Sequence, residues 1–489
     1  MSEATTLQGL RESGWVERSV RDEMRNNLLE AIRFGRERFP GIHGFDRTVL
    51  PALENAVLAR HDIILLGLRG QAKTRLLRAL VNLLDETVPV VEGCPVNDSP
   101  LRPFCKRCRR LAQEKGDQLP VGWLAREDRY REKLATPDVT VADLIGDIDP
   151  IKAANLRLDY SDEEVIHYGI IPRTNRGIFA INEIPDLAPR IQVSLLNILE
   201  ERDLQIRGFP LRIPLDLMMV FSANPEDYTS RGNIITPLKD RIDSQIITHY
   251  PRELEIAKKI TSQEAWLDRE SGVALPDETR DLIEEIAFVA RGSDLVDQTS
   301  GVSARLPISA AELLVSNLER RRAQTGDEVT TARVADFIML IPAITGKIEL
   351  VYEGEQQGPE LVARNIIGTA VRALLEKRLG GKLPSPSSRS SEGRLDADRF
   401  EPILAWFADG NSIEISDETS NAKHEAELSK VPGLEAIAQE ITRDSLGLSF
   451  AKELVLEGLH QALMLAREDR DSTITFSEAV RFNVLRTVK

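Results

Sequence analysis

Asp62-Ile63-Ile64-Leu65-Leu66 runs directly into Gly67-Leu68-Arg69-Gly70-Gln71-Ala72-Lys73-Thr74. The aliphatic run shows no polar alternation, so it reads as a strand covered on both faces, as in a parallel sheet flanked by helices. Leu76, Leu77, Leu80, Val81 and Leu84 then recur at helical spacing. Strand, glycine-bearing turn, lysine, hydroxyl and helix in that order make a phosphate-binding loop. In such a loop the backbone N–H groups of Gly67 to Thr74 cradle phosphates, Lys73 reaches the β- and γ-phosphates, and the Thr74 hydroxyl ligates Mg²⁺. The usual motif has glycine before the lysine, and here that residue is Ala72. Alanine in a left-handed conformation costs about 1–2 kcal/mol, which the loop either absorbs or passes on as weaker nucleotide binding.

Outward from this loop, Val88-Pro89-Val90-Val91, Ile178-Phe179-Ala180-Ile181, Leu217-Met218-Met219-Val220-Phe221 and Ile246-Ile247 are further strand candidates separated by helical stretches. That alternation predicts an α/β domain with a parallel sheet. About 110 residues beyond Lys73, the segment Arg176-Gly177-Ile178-Phe179-Ala180-Ile181-Asn182-Glu183-Ile184 is a strand that ends where two acids are usual. The first acid of such a pair helps to hold Mg²⁺, often through water, and the second polarises the attacking water. Asn182 keeps the hydrogen-bonding capacity of the first position without its charge, and Glu183 keeps the second.

With both motifs in place, the chain resembles the MoxR and magnesium chelatase ATPase-subunit branch of the AAA+ proteins, from about residue 39 to about residue 337. The stretch from Gln192 to Ile206 is similar to the helix and hairpin that follow the acidic strand in that branch. Phe221-Ser222-Ala223-Asn224-Pro225-Glu226 resembles its sensor-1 segment, which implies that Asn224 contacts the γ-phosphate or the attacking water. Leu238-Lys239-Asp240-Arg241-Ile242 resembles its arginine-finger segment, so Arg241 is expected to reach the nucleotide of a neighbouring subunit. Gly301-Val302-Ser303-Ala304-Arg305 looks like the start of a sensor-2 helix, with Arg305 on the γ-phosphate. Ala142-Asp143-Leu144-Ile145-Gly146-Asp147-Ile148-Asp149-Pro150 resembles the helix-2 insert of the branch, and the loop motif of sigma-54 activators is absent.

The resemblance implies an ATP- and Mg²⁺-dependent ATP hydrolase that assembles as a ring, a hexamer in the family. It would remodel a partner protein, often one with a von Willebrand factor A domain. Two other readings stay open: the ATPase subunit of a metal chelatase, and a nucleotide-sensing scaffold with little hydrolysis, for which Ala72 and Asn182 speak.

The expected organisation is a helical segment at 1–40, the α/β ATPase domain at 41–250 with inserts at about 92–135 and 136–175, and an all-helical lid at 251–345. A helix and a Ser/Pro-rich linker follow at 346–394, then a mostly helical region at 395–489. A net charge of −15 repels phosphate backbones, so no nucleic-acid partner is expected. No stretch approaches the roughly 18 apolar residues that span a bilayer, and the first residues lack a basic start and apolar core, so a cytoplasmic protein without a membrane partner is expected.

Three cysteines make no disulfide framework. Cys94, Cys105 and Cys108 fall in one insert, the last two as a Cys-x-x-Cys pair. Thiolates at this spacing bind zinc if a fourth ligand is supplied; Asp98 is nearby, and no histidine lies between them. Lys106, Arg107, Arg109 and Arg110 would instead suit redox-sensitive thiols, and plain unliganded thiols are the third alternative.

Overall fold

The computed structural model describes residues 4–159, 162–206, 212–225, 233–269, 272–384, 395–416, 418–470 and 473–479. Glu226 and the serine-rich stretch after Pro384 lie outside the described residues. The chain forms two compact units, 1–249 and 250–489.

The first unit is built on β1 (Ile63–Leu66), β2 (Tyr130–Leu134), β3 (Gly177–Asn182), β4 (Leu217–Ala223) and β5 (Ser244–Ile247). Their order across the sheet is β5-β1-β4-β3-β2, all parallel. Alternate residues of the buried strands supply two separate cores. Ile63, Leu65, Ile178, Ala180, Met218 and Val220 pack with Leu76, Leu77 and Leu80 on one face. Ile64, Leu66, Phe179, Ile181, Met219 and Phe221 pack with Leu195, Ile198 and Leu238 on the other. Both sides being apolar explains why these strands lack alternation in the sequence.

The helices that bear on the site are α1 (Lys73–Ala79), α2 (Lys106–Lys115), α3 (Leu196–Glu201) and α4 (Thr236–Arg241). Two buried acids tie the unit together. Asp62, at the foot of β1, accepts from Met219 N–H (2.9 Å) and pairs with Arg21 and with Arg202 (2.7 Å). Glu23, on the helix Val20–Arg33, forms a two-pronged ion pair with Arg129 (2.7 and 2.6 Å), and Arg129 Nε donates to Arg176 O just ahead of β3. A buried bidentate pair of this kind fixes geometry, because removing one partner strands the other charge.

Two sequence expectations change. Val88–Val91 is a strand, but the strand Thr87–Val91 pairs antiparallel with Val121–Ala125 outside the main sheet. The fifth strand of the main sheet is instead β2, whose Arg131, Glu132 and Lys133 hide an edge strand from a search for apolar runs.

The second unit holds α5 (Asp277–Gly292), α6 (Arg305–Thr325), α7 (Pro359–Leu379) and α8 (Leu448–Gln461). It also contains a three-stranded antiparallel sheet of β6 (Ile413–Ser416), β7 (Leu465–Arg470) and β8 (Thr473–Glu478), ordered β6-β8-β7. The C-terminal region thus adds a small sheet to its helices. One core runs from Leu282 through Leu314, Ile344, Val371 and Leu454 to Phe476. No helix among the described residues is long and apolar enough to cross a membrane.

Glu453 of α8 is fully buried and accepts from the N–H groups of Val334 and Ala335. Burial pushes its carboxyl up to about 7, against the pull of Arg333. The folded chain therefore holds this proton more tightly than the unfolded one. The resulting stability is complete below the unfolded pKa of about 4.3 and is lost as pH rises through about 7. Glu453→Gln removes that dependence: its melting temperature relative to the parent is expected to rise between about pH 5 and about pH 8. A difference that stays constant with pH in thermal melts contradicts the assignment.

Candidate functional site

Five residues of the first-unit site stand at or just past the C-terminal end of a sheet strand. Gly67 follows β1, Asn182 ends β3 and Glu183 follows it, Asn224 follows β4, and Thr248 follows β5. These are the positions where a sheet apolar on both faces can present polar groups, and where open α/β sheets bind ligands.

The loop from Gly67 to Thr74 links β1 to α1. Gly70 (φ 73°) and Ala72 (φ 57°, ψ 18°) are left-handed on either side of Gln71. Alternation of this kind turns successive N–H groups to one side, the geometry of an anion nest. Ala72 therefore adopts the conformation that the missing glycine would take without strain. Leu68 and Gly70 are half-buried, while Arg69 and Ala72 are exposed. Gln71 holds the loop from below: its Oε1 accepts from Leu68 N–H (3.0 Å) and from Thr248 Oγ1 (2.8 Å).

Lys73 is 7% exposed. Its Nζ donates to Gly67 O (2.6 Å), Leu68 O (3.1 Å) and Asn224 Oδ1 (2.5 Å). Lys73 and Asn224, 151 positions apart in sequence, are thus in direct contact. Thr74 is half-buried in the first turn of α1.

On the same sheet face, Ser222 Oγ donates to Asn182 Oδ1 (3.2 Å) and accepts from Glu183 N–H (3.3 Å). Glu183 is itself left-handed (φ 55°, ψ 50°). Strained φ/ψ at a non-glycine residue clusters at functional sites and needs its surroundings to hold it. Sequence reasoning placed Gln71 in the loop but gave no role to its side chain, and it gave none to Ser222 or Thr248, whose types are too common to stand out.

It also missed Glu132 of β2. The hydrogen bond from Arg78 holds this carboxyl below the usual carboxylate range against desolvation, and Tyr130 and Asn182 add hydrogen bonds. A carboxylate thus stands one strand away from the uncharged Asn182.

Arg241 ends α4, where its Nε and Nη2 reach Glu200 Oε2 of α3 (2.8 and 2.7 Å) at a partly exposed ion pair. Arg305 is the exposed first residue of α6 in the second unit, with its N–H on Ser303 Oγ (3.1 Å). Cys94, Cys105 and Cys108 gather with Asp98 in a separate cluster.

An amide nest, a buried ammonium, a hydroxyl at the helix start and an acid two strands away form a donor set that fits a magnesium nucleotide. A side chain at Gly67 is excluded, because its Cβ would lie 1.9 Å from Thr248 Oγ1 and 2.3 Å from Gln71 Oε1. Gly67→Ala is expected to lose about 1–3 kcal/mol of stability, and Ala72→Gly to gain up to about 1 kcal/mol by relieving the left-handed alanine. Denaturant midpoints check both. A neutral Gly67→Ala would show that the loop is not clamped by Gln71 and Thr248.

The family model for the AAA domain of the dynein-related subfamily matches residues 123–242, a span that holds β2 to α4 and begins after the loop. The chain is 25% identical over 323 residues to the chloroplastic magnesium-chelatase subunit ChlI-2 of Arabidopsis thaliana, covering 61% of this chain and 73% of that protein. It is 26% identical over 241 residues to the magnesium-chelatase subunit ChlI homolog of Methanocaldococcus jannaschii, covering 45% of this chain and 58% of that one. A chain from the cryo-EM-based complex between subunits BchI and BchD of magnesium chelatase overlays at TM-score 0.34 and 19% identity, over 65% of this chain and 98% of that one. With a strand–loop–helix turn on a β5-β1-β4-β3-β2 sheet, the chain carries an AAA-domain match over 123–242 and is similar in sequence to the ChlI subunits of magnesium chelatase.

Proposed function

We propose that this chain binds and hydrolyses ATP with Mg²⁺, as a ring whose subunits complete one another's sites, and that it uses the cycle to remodel a partner protein. The observation that carries this reading is the Lys73–Asn224 contact beside the amide nest, with Glu183 following the next strand.

In the proposed cycle the amides of Gly67 to Lys73 and the Lys73 ammonium hold the β- and γ-phosphates. Mg²⁺, when bound, neutralises charge building on the phosphate oxygens. Thr74 and Asn182 would hold it, with Glu132 adding negative charge near Asn182. Glu183 orients the attacking water and takes its proton. Asn224 fixes that water or the γ-phosphate, so that release of phosphate frees Lys73 to return to it. Arg241 exchanges Glu200 for the nucleotide of a neighbouring subunit. An exposed ion pair is worth at most about 1 kcal/mol, so the exchange is cheap. Arg305 is assigned the sensor-2 role.

The partner class that the resemblance implies is a protein with a von Willebrand factor A domain. The names of the relatives favour one alternative, a subunit that drives metal insertion by a chelatase. Identifying the protein that copurifies with the full chain in an ATP-dependent manner separates the two.

Lys73→Ala is expected to abolish nucleotide binding. Glu183→Gln should keep ATP binding and lower steady-state hydrolysis by about 100-fold or more. Equal, near-zero rates in parent and Glu183→Gln would favour a nucleotide-sensing scaffold instead. Arg241→Ala should bind ATP like the parent but turn it over about 1,000-fold more slowly. Mixing it with inactive Lys73→Ala should restore part of the activity, because some interfaces then pair an intact loop with an intact arginine. No recovery on mixing argues against a finger supplied in trans.

A further inference from the structure

The insert between the strands Thr87–Val91 and Val121–Ala125 gathers four groups that the nucleotide chemistry does not use. The ligand atoms of Cys94, Asp98, Cys105 and Cys108 all lie within 4.8 Å of one another. Asp98 and Cys108 are completely buried, Cys105 is nearly so, and Cys94 is partly exposed. The Sγ atoms of Cys94 and Cys105 are 4.0 Å apart, about twice a disulfide bond length, so the pair is reduced. A tetrahedral zinc with Zn–S bonds of about 2.3 Å places two sulfurs about 3.8 Å apart. The observed spacing is therefore close to that of a shared ion.

The backbone is arranged as it is around metal-bound thiolates. Asp98 N–H points at Cys94 Sγ (3.4 Å), and Cys108 N–H points at Cys105 Sγ (3.3 Å) in the first turn of α2. The Asp98 carboxylate accepts from Phe104 N–H and Cys105 N–H, each at 2.9 Å for the closer oxygen.

The basic side chains that could have balanced the charge are engaged elsewhere. Lys106, Arg109 and Arg110 pair with Asp162, Glu163 and Glu164. Arg107 reaches the backbone at Glu92 O (3.5 Å), and three thiols and a carboxylate are left sharing one small volume. We propose that Cys94, Asp98, Cys105 and Cys108 bind one structural Zn²⁺. A sulfur-rich tetrahedral set selects zinc over the oxygen-loving Mg²⁺ of the nucleotide site. With four protein ligands the site is closed, so it is a brace and not a catalytic centre.

What it braces is the approach to β3. Asn97, in the turn between Cys94 and Asp98, donates from Nδ2 to Arg173 O (2.9 Å) and Asn175 O (3.2 Å). Asn175 returns a bond to Val96 O (2.9 Å). Asn175 stands two residues ahead of the strand that ends at Asn182 and Glu183.

The test reads metal and not activity, so it stands apart from the ATPase reading. The full chain, expressed with zinc supplied and washed with a weak chelator, is analysed by elemental mass spectrometry. About one zinc per chain is expected, with less than a tenth of that in Cys108→Ser and Asp98→Ala. Titrating the native parent with a mercurial thiol reagent should release zinc in step with three thiols. Because the variants could fail to fold, the parent is also loaded with Co²⁺, which should give the visible absorption bands of a tetrahedral thiolate site. A parent that carries no zinc and takes none up on dialysis overturns the proposal. So does one iron per chain, or three thiols that react at the rate of free cysteine.

Discussion

A parallel sheet covered on both faces allows polar chemistry only where its strands stop. In the first unit, alternate residues of β1, β3 and β4 feed two separate apolar cores. The strand interiors are taken up by these cores, and Gly67, Asn182, Glu183, Asn224 and Thr248 are collected at one edge because the backbone emerges there. Register does the rest. Ser222 lies level with Leu65 and, one residue beyond the paired Phe221 and Ile181, with Asn182. Its hydroxyl can therefore serve both Asn182 and Glu183.

That constraint also explains what could be read without coordinates. Strands with continuous apolar runs were legible, and so were the loop and the acid that terminate them. β2 was not, because an edge strand bearing Arg131, Glu132 and Lys133 keeps its charges by turning them to solvent or to partners such as Arg78. The strand Thr87–Val91 has the apolar content of a central strand, yet its proline and its antiparallel partner set it aside from the sheet. β7 and β8 read Leu-Ala-Arg-Glu-Asp-Arg and Thr-Ile-Thr-Phe-Ser-Glu, and each buries one face at most, which leaves a weak pattern. Individual ligands follow the same logic. Cysteines announce themselves by rarity, whereas Asp98 is one of 78 Asp and Glu residues: its place in the sequence made it a candidate, and the fold brings its carboxylate to the three thiols.

Departures from the usual motifs fall where neighbours compensate. Ala72 keeps the left-handed turn at the expense of strain. Asn182 loses a charge, but Glu132 stands beside it on the adjoining strand. The first change costs strain, and the second alters the electrostatics of the site.

Gln71 carries a last consequence. Its carbonyl oxygen ties Leu68 in the loop to Thr248 past the end of β5. On the proposed reading, the phosphate cradle is consequently braced by the chain's own side chains. Little conformational freedom remains to be surrendered on association, so affinity is governed by the match of charges and not by folding of the loop. Such a rigid receptor would admit triphosphate and diphosphate in the same pose. Telling one from the other then falls to the side chains that meet the terminal phosphate.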